Sequence, residues 1–230
     1  MKRIALLIYM IGLCSTLTCW AQLDEERHTF SVGVNGGMNM SSVNFDPKIK
    51  QNKQYGMSAG ITFRYITEKY FSMICGLQAE INYSQRGWNE KIEDESGMTY
   101  SRSMNYVEVP FMAHLAFGKD DPNKGLQFFV NAGPQFSFYM SDSENMSDNF
   151  DVSQRVVKEQ YGKAIDTKFD YGIVGGLGFD LNSKAGHFIL EGRYYYGLAD
   201  FFDNDRKEFF GKSGHTYIGI RAAYLFDIFK

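Results

Sequence analysis

The sequence has few cysteines and, after its first residues, no long apolar segment. Its three cysteines are Cys14, Cys19 and Cys75, and the first two lie close to the N-terminus. A single cysteine in the rest of the chain cannot form a disulfide framework. Beyond Leu13 no apolar run reaches the about 20 residues that a transmembrane helix requires. If the chain enters a membrane, it must therefore do so as β-strands.

Motifs that mark catalytic, metal or nucleotide sites are also absent. The sequence contains no HExxH, no paired CxxC, no Walker loop and no GxGxxG. Residues 172–178 are rich in glycine but lie in a strand-like pattern with no helix after them, which disfavours a phosphate-binding loop. The 24 basic and 27 acidic residues give a net charge of −3, without the basic excess typical of nucleic-acid binding. We therefore expect no catalytic site, no cofactor or metal, and no nucleic-acid partner.

The N-terminus has the pattern of a secretory signal peptide. Two basic residues precede an apolar run, Ile4–Leu13, and small or polar residues follow up to Ala21. We expect residues 1–21 to be a signal peptide that is cleaved after Ala21, and residues 22–230 to be one domain. A lipoprotein signal is the less favoured alternative, because neither cysteine in this segment follows the small residue that such a signal uses.

Period-two alternation of apolar and mixed positions dominates the rest of the chain. In the last tract the even positions are apolar from Ile218 to Ile228, whereas the odd positions are mixed and include Arg221. Such alternation is typical of strands with one apolar face. Eight tracts show it, near residues 29–38, 54–66, 71–85, 103–117, 126–140, 168–181, 187–197 and 214–228.

The connections between these tracts alternate in length. The long ones lie near residues 39–53, 86–102, 141–167 and 198–213, and the short ones near 67–70, 118–125 and 182–186. Outer-membrane barrels have long extracellular loops and short periplasmic turns, with both termini in the periplasm. The sequence therefore predicts an all-β fold, an eight-stranded antiparallel up-and-down transmembrane β-barrel of OmpA/OmpX-like architecture.

A soluble barrel such as a lipocalin would also show alternation, so the composition of the two faces must decide. The apolar face carries no charged residue, as expected for strands in contact with lipid. The opposite face is rich in glycine and has no lysine in mid-strand, which is atypical of a soluble surface. Glycine there would leave room for long arginine side chains in a narrow interior. Aromatic residues cluster near the tract ends, as in the girdles of membrane barrels.

Two prolines fall inside predicted strands. Pro110 and Pro134 lie in the fourth and fifth tracts. A closed barrel has no free edge at which the missing N–H group of proline is tolerated. We therefore expect bulges or register irregularities beside both residues.

Charged residues on the mixed face are expected to pair inside the barrel. Because buried charges are costly unless they are paired, their near balance indicates a salt-bridged interior rather than a catalytic site. A small ion-conducting pore is the alternative. The polar network expected in the lumen comprises Arg64, Glu80, Glu108, His114, Asp170, Glu191, Arg193 and Arg221.

A lipid-modifying enzyme is the third alternative. Lipid A deacylases are barrels of this size that use His and Ser near the extracellular edge of the membrane. Here His114 and His187 fall near the short-turn ends, and only His215 lies at the outer rim, on the interior face. The Ser–His pair facing lipid that such chemistry needs is missing.

Three segments resemble the PorT-like outer-membrane β-barrel family of Bacteroidetes. They are YVEVP at residues 106–110, AGP at 132–134 and YGIVGGLGF at 171–179. The C-terminal GIRAAYLF at 219–226 resembles the signal by which such proteins engage the barrel-assembly machinery. The resemblance implies an outer-membrane location without a specific activity, and the founding member of the family is linked to the type IX secretion and gliding apparatus.

Together these features predict a non-enzymatic protein of the outer membrane with surface-exposed loops. Its role would be structural, in surface interactions or accessory to secretion. The expected partners are outer-membrane lipid, the barrel-assembly machinery and a protein of the cell surface or of a secretion apparatus.

Overall fold

A computed structural model describes residues 25–70, 72–94, 96–118, 124–204 and 208–229. The predicted signal peptide and its cleavage site lie outside these ranges. No helix in them is long and apolar enough to cross a membrane. The strands are β1 (Glu25–Asp46), β2 (Gln51–Asn52), β3 (Gln54–Tyr70), β4 (Met73–Glu90), β5 (Tyr100–Gly118), β6 (Lys124–Met146), β7 (Phe169–Ser183), β8 (Gly186–Gly197) and β9 (Lys212–Phe229).

Eight of these strands form one closed antiparallel sheet. Each long strand pairs with its neighbours in the chain, β1 pairs with β9, and β4 pairs with β5, so no long strand keeps an edge along its full length. The two-residue β2 pairs with the end of β4. Closure removes the exposed edges that invite aggregation of open sheets. The predicted eight-stranded up-and-down barrel is confirmed.

Long and short connections alternate as predicted, but the strands extend further than the sequence pattern indicates. The long loops are L1 (47–53, which contains β2), L2 (91–99), L3 (147–168) and L4 (198–211), and their described residues lie at one end of the barrel. L3 contains a single 3₁₀ turn, Val152–Gln154. Near these loops both faces of a strand carry polar residues, so alternation of hydrophobicity fades before the strand ends.

The two faces of the barrel have opposite chemistry. On β9, Ile218 and Ile220 point outward and are 49% and 63% exposed, whereas Arg221 between Ile220 and Ala222 points inward and is 4% exposed. The same parity holds along the other strands, so the outer surface is apolar and the interior is polar. A soluble domain would not expose so continuous an apolar surface, whereas a barrel surrounded by lipid requires it.

The prolines do not shift the strand register, contrary to the prediction. Pairing of β5 with β6 stops after Pro110 and resumes at Ala113 in the same register. Pro134 keeps its partner Ile173 on β7. Each proline removes one N–H donor, which opens the ladder locally without inserting an extra residue. The one register shift between β5 and β6 lies closer to the long loops, after Asn105.

Candidate functional site

The structure places all eight residues of the predicted polar network inside the barrel. Each is at most 4% exposed: Arg64, Glu80, Glu108, His114, Asp170, Glu191, Arg193 and Arg221. Two more charged side chains, Arg86 and Asp180, lie among them and are 1% exposed. The network therefore fills the interior from the short-turn end to the long-loop end.

Glu80 on β4 lies at the centre of the network. Its carboxylate accepts two hydrogen bonds of 2.8 Å from the terminal nitrogens of Arg193 and one of 2.8 Å from Nη1 of Arg221. The side-chain amides of Gln78 and Asn82 donate to the same carboxylate at 2.7 and 2.8 Å. One anion on β4 thus binds cations on β8 and β9, which lie on the opposite wall, and such charge-assisted bonds are the strongest of their kind.

Glu191 on β8 shares Arg193 with Glu80. Its Oε2 accepts from Nη2 of Arg193 at 2.6 Å. A Cβ on Gly176 of the adjacent strand would lie 2.1 Å from Oε1 of Glu191, so a larger residue there would displace this carboxylate from its present position. Gly176 thus leaves room for a glutamate, whereas Gly37 lies against an arginine as expected from the sequence, since a Cβ there would lie 3.0 Å from Cγ of Arg221. The cavity between Glu80 and Glu191 measures about 10 Å³, close to the least volume that holds one water.

Arg86 on β4 forms a second centre, nearer the long loops. It donates from Nε to Glu108 at 2.8 Å, from Nη1 to Asp170 at 2.7 Å and from Nη2 to Ser137 at 2.6 Å. These acceptors come from three different strands, β5, β7 and β6. The planar guanidinium group suits such a fork of acceptors, which a lysine could not match.

Three tyrosine rings surround the same guanidinium group. The rings of Tyr106, Tyr195 and Tyr217 have their centroids 4.5, 4.9 and 5.5 Å from its central carbon. Cation–π attraction strengthens when the groups are shielded from water, as they are here. Arg86 therefore binds a cage of two carboxylates and three aromatic rings that the protein itself supplies.

A third centre lies towards the short turns. Arg64 donates to Asp180 at 2.6 Å and to the amide oxygen of Gln78 at 3.1 Å. Gln78 also donates a hydrogen bond to Glu80, so the centres around Arg64 and around Glu80 form one hydrogen-bonded chain. His187 lies 3.2 Å from both Asp180 and Asp227. The polar groups of the interior are therefore used mainly in binding one another.

Sequence reasoning missed Arg86 and Asp180 for different reasons. Arg86 lies one residue beyond the predicted end of its tract, whereas β4 continues to Glu90. Asp180 lies on the same face as Asp170, and that parity was a sufficient signal to include it. The first omission comes from a strand end that was predicted too early, and the second from a residue that was left out of the list. The assignment of inward and outward faces was correct in both cases.

The long-loop end of the barrel is closed by an apolar cluster, which we call the loop cap. Its members come from β1, β4, β5 and the loops L1, L3 and L4. Trp88 is fully buried in it and stacks on Phe201 with ring centroids 5.8 Å apart. Aromatic contacts of this kind bury a large apolar area. The cap comprises Val43, Phe45, Ile49, Trp88, Tyr100, Met104, Tyr106, Ile165, Phe201, Phe202 and Phe210.

Glu90, at the end of β4, anchors L3 over the cap. It accepts hydrogen bonds from Arg155 Nη2 at 2.9 Å, from Tyr161 Oη at 2.7 Å and from Gln160 Nε2 at 3.3 Å. Arg155 also binds Asp94 of L2 at 2.8 Å. Burial, together with the bond to Glu90, raises the pKa of Tyr161, so this phenol stays protonated and keeps donating. L3 is thus fastened to the barrel rim and to L2.

L1 and L2 are joined by an exposed ion-pair network. Glu93 lies 2.6 Å from Nζ of Lys50 and 2.5 Å from Nζ of Lys91. Hydrogen bonds from Lys50 and then from Lys91 lower the pKa of Glu93 to about 2. Exposed ion pairs contribute little to stability, so this contact orients the loops rather than holding the fold together.

The described histidines do not form a catalytic constellation. His215 is buried in the interior, with Nε2 3.1 Å from Tyr106 Oη. His114 is bonded through Nδ1 to Asn131 Oδ1 at 2.8 Å. Neither has a serine or cysteine among its hydrogen-bond partners in the described residues, as a nucleophile–base pair would require. Within the same ranges, no group of three His, Cys, Asp or Glu residues is placed to hold a metal ion.

Comparisons with solved structures return barrels of low sequence identity. OprG of Pseudomonas aeruginosa is 13% identical, with 88% of this chain and 97% of that chain covered at a TM-score of 0.49. Ail of Yersinia pestis, solved in complex with the heparin analogue sucrose octasulfate, is 13% identical. The match covers 86% of this chain and 99% of that chain at a TM-score of 0.35. Neisserial surface protein A is 10% identical, with 85% of this chain and 95% of that chain covered at a TM-score of 0.39. No curated protein matches the chain.

A protein-family model matches the chain and assigns it to a family, although no curated protein matches it. The model of the outer membrane protein beta-barrel domain matches residues 20–203, most of the chain. The match agrees with the closed antiparallel sheet, the apolar outer surface and the polar interior described above. The chain therefore belongs to the outer membrane protein beta-barrel domain family, whose members are barrels of the outer membrane.

Proposed function

We propose that the protein is a closed, non-enzymatic barrel that displays its folded long loops at the cell exterior for contact with other proteins. The observation that carries the proposal is the loop cap, which packs residues of three loops into one buried cluster. Loops that only connect strands need no shared core, whereas a preorganised surface binds partners at lower entropic cost. In this orientation the short turns and both termini lie in the periplasm.

The contents of the interior argue against a pore. An eight-stranded barrel is just wide enough for its side chains to fill. Here the central side chains pair across the lumen, from Glu80 on β4 to Arg193 on β8, and the loop cap lies above them. A conducting path would have to break such buried ion pairs, at a cost of about 3–5 kcal/mol each. We expect no substantial conductance in planar bilayers, and steady large openings would overturn the proposal.

The YVEVP segment supports placement in the PorT-like group, and the structure gives it a physical role. Tyr106 and Glu108 both face inward and contact Arg86, through the ring and the carboxylate. Pro110 is the last paired residue before the interruption of the β5–β6 ladder, and residues 109–110 have no partner in the β4–β5 ladder. We also propose that the C-terminal segment 219–226, in β9, is the part recognised by the barrel-assembly machinery.

Orientation is tested by labelling single cysteines in intact cells. Val156 in L3 is 99% exposed, and Lys184 lies in an exposed short turn. In a Cys75→Ser background, Val156→Cys should react with a membrane-impermeant maleimide, and Lys184→Cys should react only after the outer membrane is permeabilised. The parent without an introduced cysteine controls for background labelling. Labelling of position 184 alone in intact cells would invert the orientation and refute the proposal.

Contact with other proteins is tested by placing a photo-crosslinking residue at the same two positions. We expect a discrete adduct from position 156 in the source cells and none from position 184, because only the former belongs to the displayed surface. The adduct should disappear when L3 is shaved with protease before irradiation. Absence of any adduct from position 156 or from other exposed positions of L3 and L4 would contradict a role in surface contacts.

A further inference from the structure

The outer surface of the barrel is not uniformly convex. A groove of about 610 Å³ crosses strands β3 to β6, with Phe30 of β1 at one end. Almost all of its lining is apolar. The lining residues are Phe30, Phe63, Tyr65, Leu77, Gln78, Ala79, Phe111, Met112, Ala113, Ala132, Gly133 and Pro134.

Small residues between large ones create this groove. Ala113 and Ala132 are cross-strand partners on β5 and β6 and point outward, so nothing larger than a methyl group covers the sheet at this point. Phe63 and Phe111, which also line the groove, carry large rings. The groove also coincides with the interruption of the β5–β6 ladder after Pro110. The depression is therefore encoded in the sequence rather than being a chance gap between side chains.

The side-chain amide in the lining of the groove is already hydrogen-bonded within the protein. Gln78 is the one amide in the lining, and it faces inward, where it accepts from Arg64 and donates to Glu80. The remaining lining offers aromatic, aliphatic and backbone surface. A ligand in the groove would therefore be held by dispersion and by removal of apolar area, not by hydrogen bonds.

The groove lies in the half of the barrel nearer the short turns. Phe30 is near the start of β1, and Tyr65 and Leu77 lie on either side of the turn that joins β3 to β4. The Oη of Tyr65 is 2.8 Å from Nδ1 of His28. Tyrosine and histidine at this level mark the boundary between hydrocarbon and headgroups. The groove thus runs from that boundary towards the middle of the apolar surface.

We propose that this groove holds one acyl chain of a phospholipid from the leaflet at the short-turn end. It is continuous with the lipid-facing surface of the barrel, so acyl chains are the medium that must fill it. An apolar groove with aromatic side chains in its walls gives a single chain more contact than a convex wall can, so one lipid stays longer than its neighbours. This inference rests on membrane insertion and on the orientation proposed above, which makes the leaflet the periplasmic one.

Retained lipid is measured by native mass spectrometry of the full-length mature protein extracted from outer membranes. We expect one phospholipid adduct that survives activation strong enough to strip all other lipid. Ala113→Phe combined with Ala132→Phe fills the groove and should abolish the adduct. Ala222→Phe adds the same side chain to the outward face of β9, away from the groove, and should leave it unchanged.

Several outcomes would overturn the inference. Equal retention in all variants, or no retained lipid in the wild type, would show that the groove holds nothing specific. An adduct with the mass of a phosphorylated glycolipid would assign the groove to the other leaflet. A disulfide-linked dimer of Ala113→Cys in the Cys75→Ser background would identify a second copy as the occupant.

Folding is monitored separately for each variant by heat-modifiable migration on gels. If the double substitution fails to fold, Ala113→Leu fills part of the groove and should reduce the adduct at least tenfold. A folded barrel without an adduct rejects the acyl-chain site alone. The proposed orientation is rejected independently by the cysteine labelling at positions 156 and 184.

Discussion

Replacement of Glu80 by glutamine should destabilise the barrel far more than its size suggests. The change keeps the shape of the side chain but removes the anion to which Arg193 and Arg221 both donate. In this variant Arg193 keeps its ion pair with Glu191, whose Oε2 lies 2.6 Å from Nη2 of Arg193. Arg221 retains only neutral acceptors among the described residues, such as Asn35 at 3.0 Å. A cation stranded in this way costs about 3–5 kcal/mol.

A second substitution shows whether the stranded charge is the cause. Arg221→Met removes the cation and keeps an unbranched side chain of similar length. If stranding dominates, the double variant Glu80→Gln, Arg221→Met should be more stable than the sum of the two single losses implies, with a coupling energy of about 1–3 kcal/mol. Glu93→Gln is the matched control, because it makes the same change in an exposed ion pair, and it should leave the unfolding free energy unchanged within error.

The assay is guanidinium unfolding of the protein in phospholipid vesicles, followed by heat-modifiable mobility and by the fluorescence of Trp88. This tryptophan is fully buried in the loop cap and is the only one in residues 22–230. The reasoning fails if Glu80→Gln lies within about 1 kcal/mol of the wild type, the range of an exposed pair. It also fails if the losses of unfolding free energy in Glu80→Gln and Arg221→Met simply add in the double variant. Arg221 would then be stabilised independently of Glu80.

Three further results are expected. Arg86→Lys should cost about 2 kcal/mol in the same unfolding assay, because an ammonium group cannot reach all three acceptors and leaves buried oxygens unpaired; an unchanged midpoint would contradict this. Glu90→Gln should release L3 and speed tryptic cleavage after Lys158 while the barrel stays folded, and equal cleavage rates would refute the anchor. The pKa of Glu93 is lowered from 4.5 to about 2, so its bonds are complete above pH 4.5 and are lost towards pH 2; a carboxyl NMR midpoint near 4.5, unaffected by Lys50→Gln, would contradict it.

The sequence was sufficient to predict which face of each strand points inward. On β9 the parity of Arg221 and Ile220 follows from alternation alone, because successive side chains of a strand must lie on opposite faces. The inward placement of Glu80 and Glu191 follows in the same way. Pairing partners do not follow, because distances across the lumen depend on barrel closure and strand stagger, which no local pattern contains.

The parts that sequence reasoning missed depend on contacts between distant segments. Phe201 and Ile165 lie in loops that the sequence predicts to be surface-exposed, and they become core residues only because Trp88 and Phe45 meet them at the mouth of the barrel. The prolines misled for a related reason. The loss of one donor at Pro110 was expected to produce a bulge or a register irregularity, whereas the β5–β6 ladder is interrupted only at residues 111–112 and resumes in the same register.

The interior network and the loop cap are parts of one structure rather than two barriers in series. Tyr106 belongs to the cap, yet its ring covers Arg86 and its hydroxyl lies 3.1 Å from His215. Lifting the cap would therefore remove one wall of the cage around Arg86 and expose Glu108 and Asp170 to water. A channel through this barrel would have to disrupt the cap and the ion pairs together, which favours the proposed display role of the loops over a gated pore.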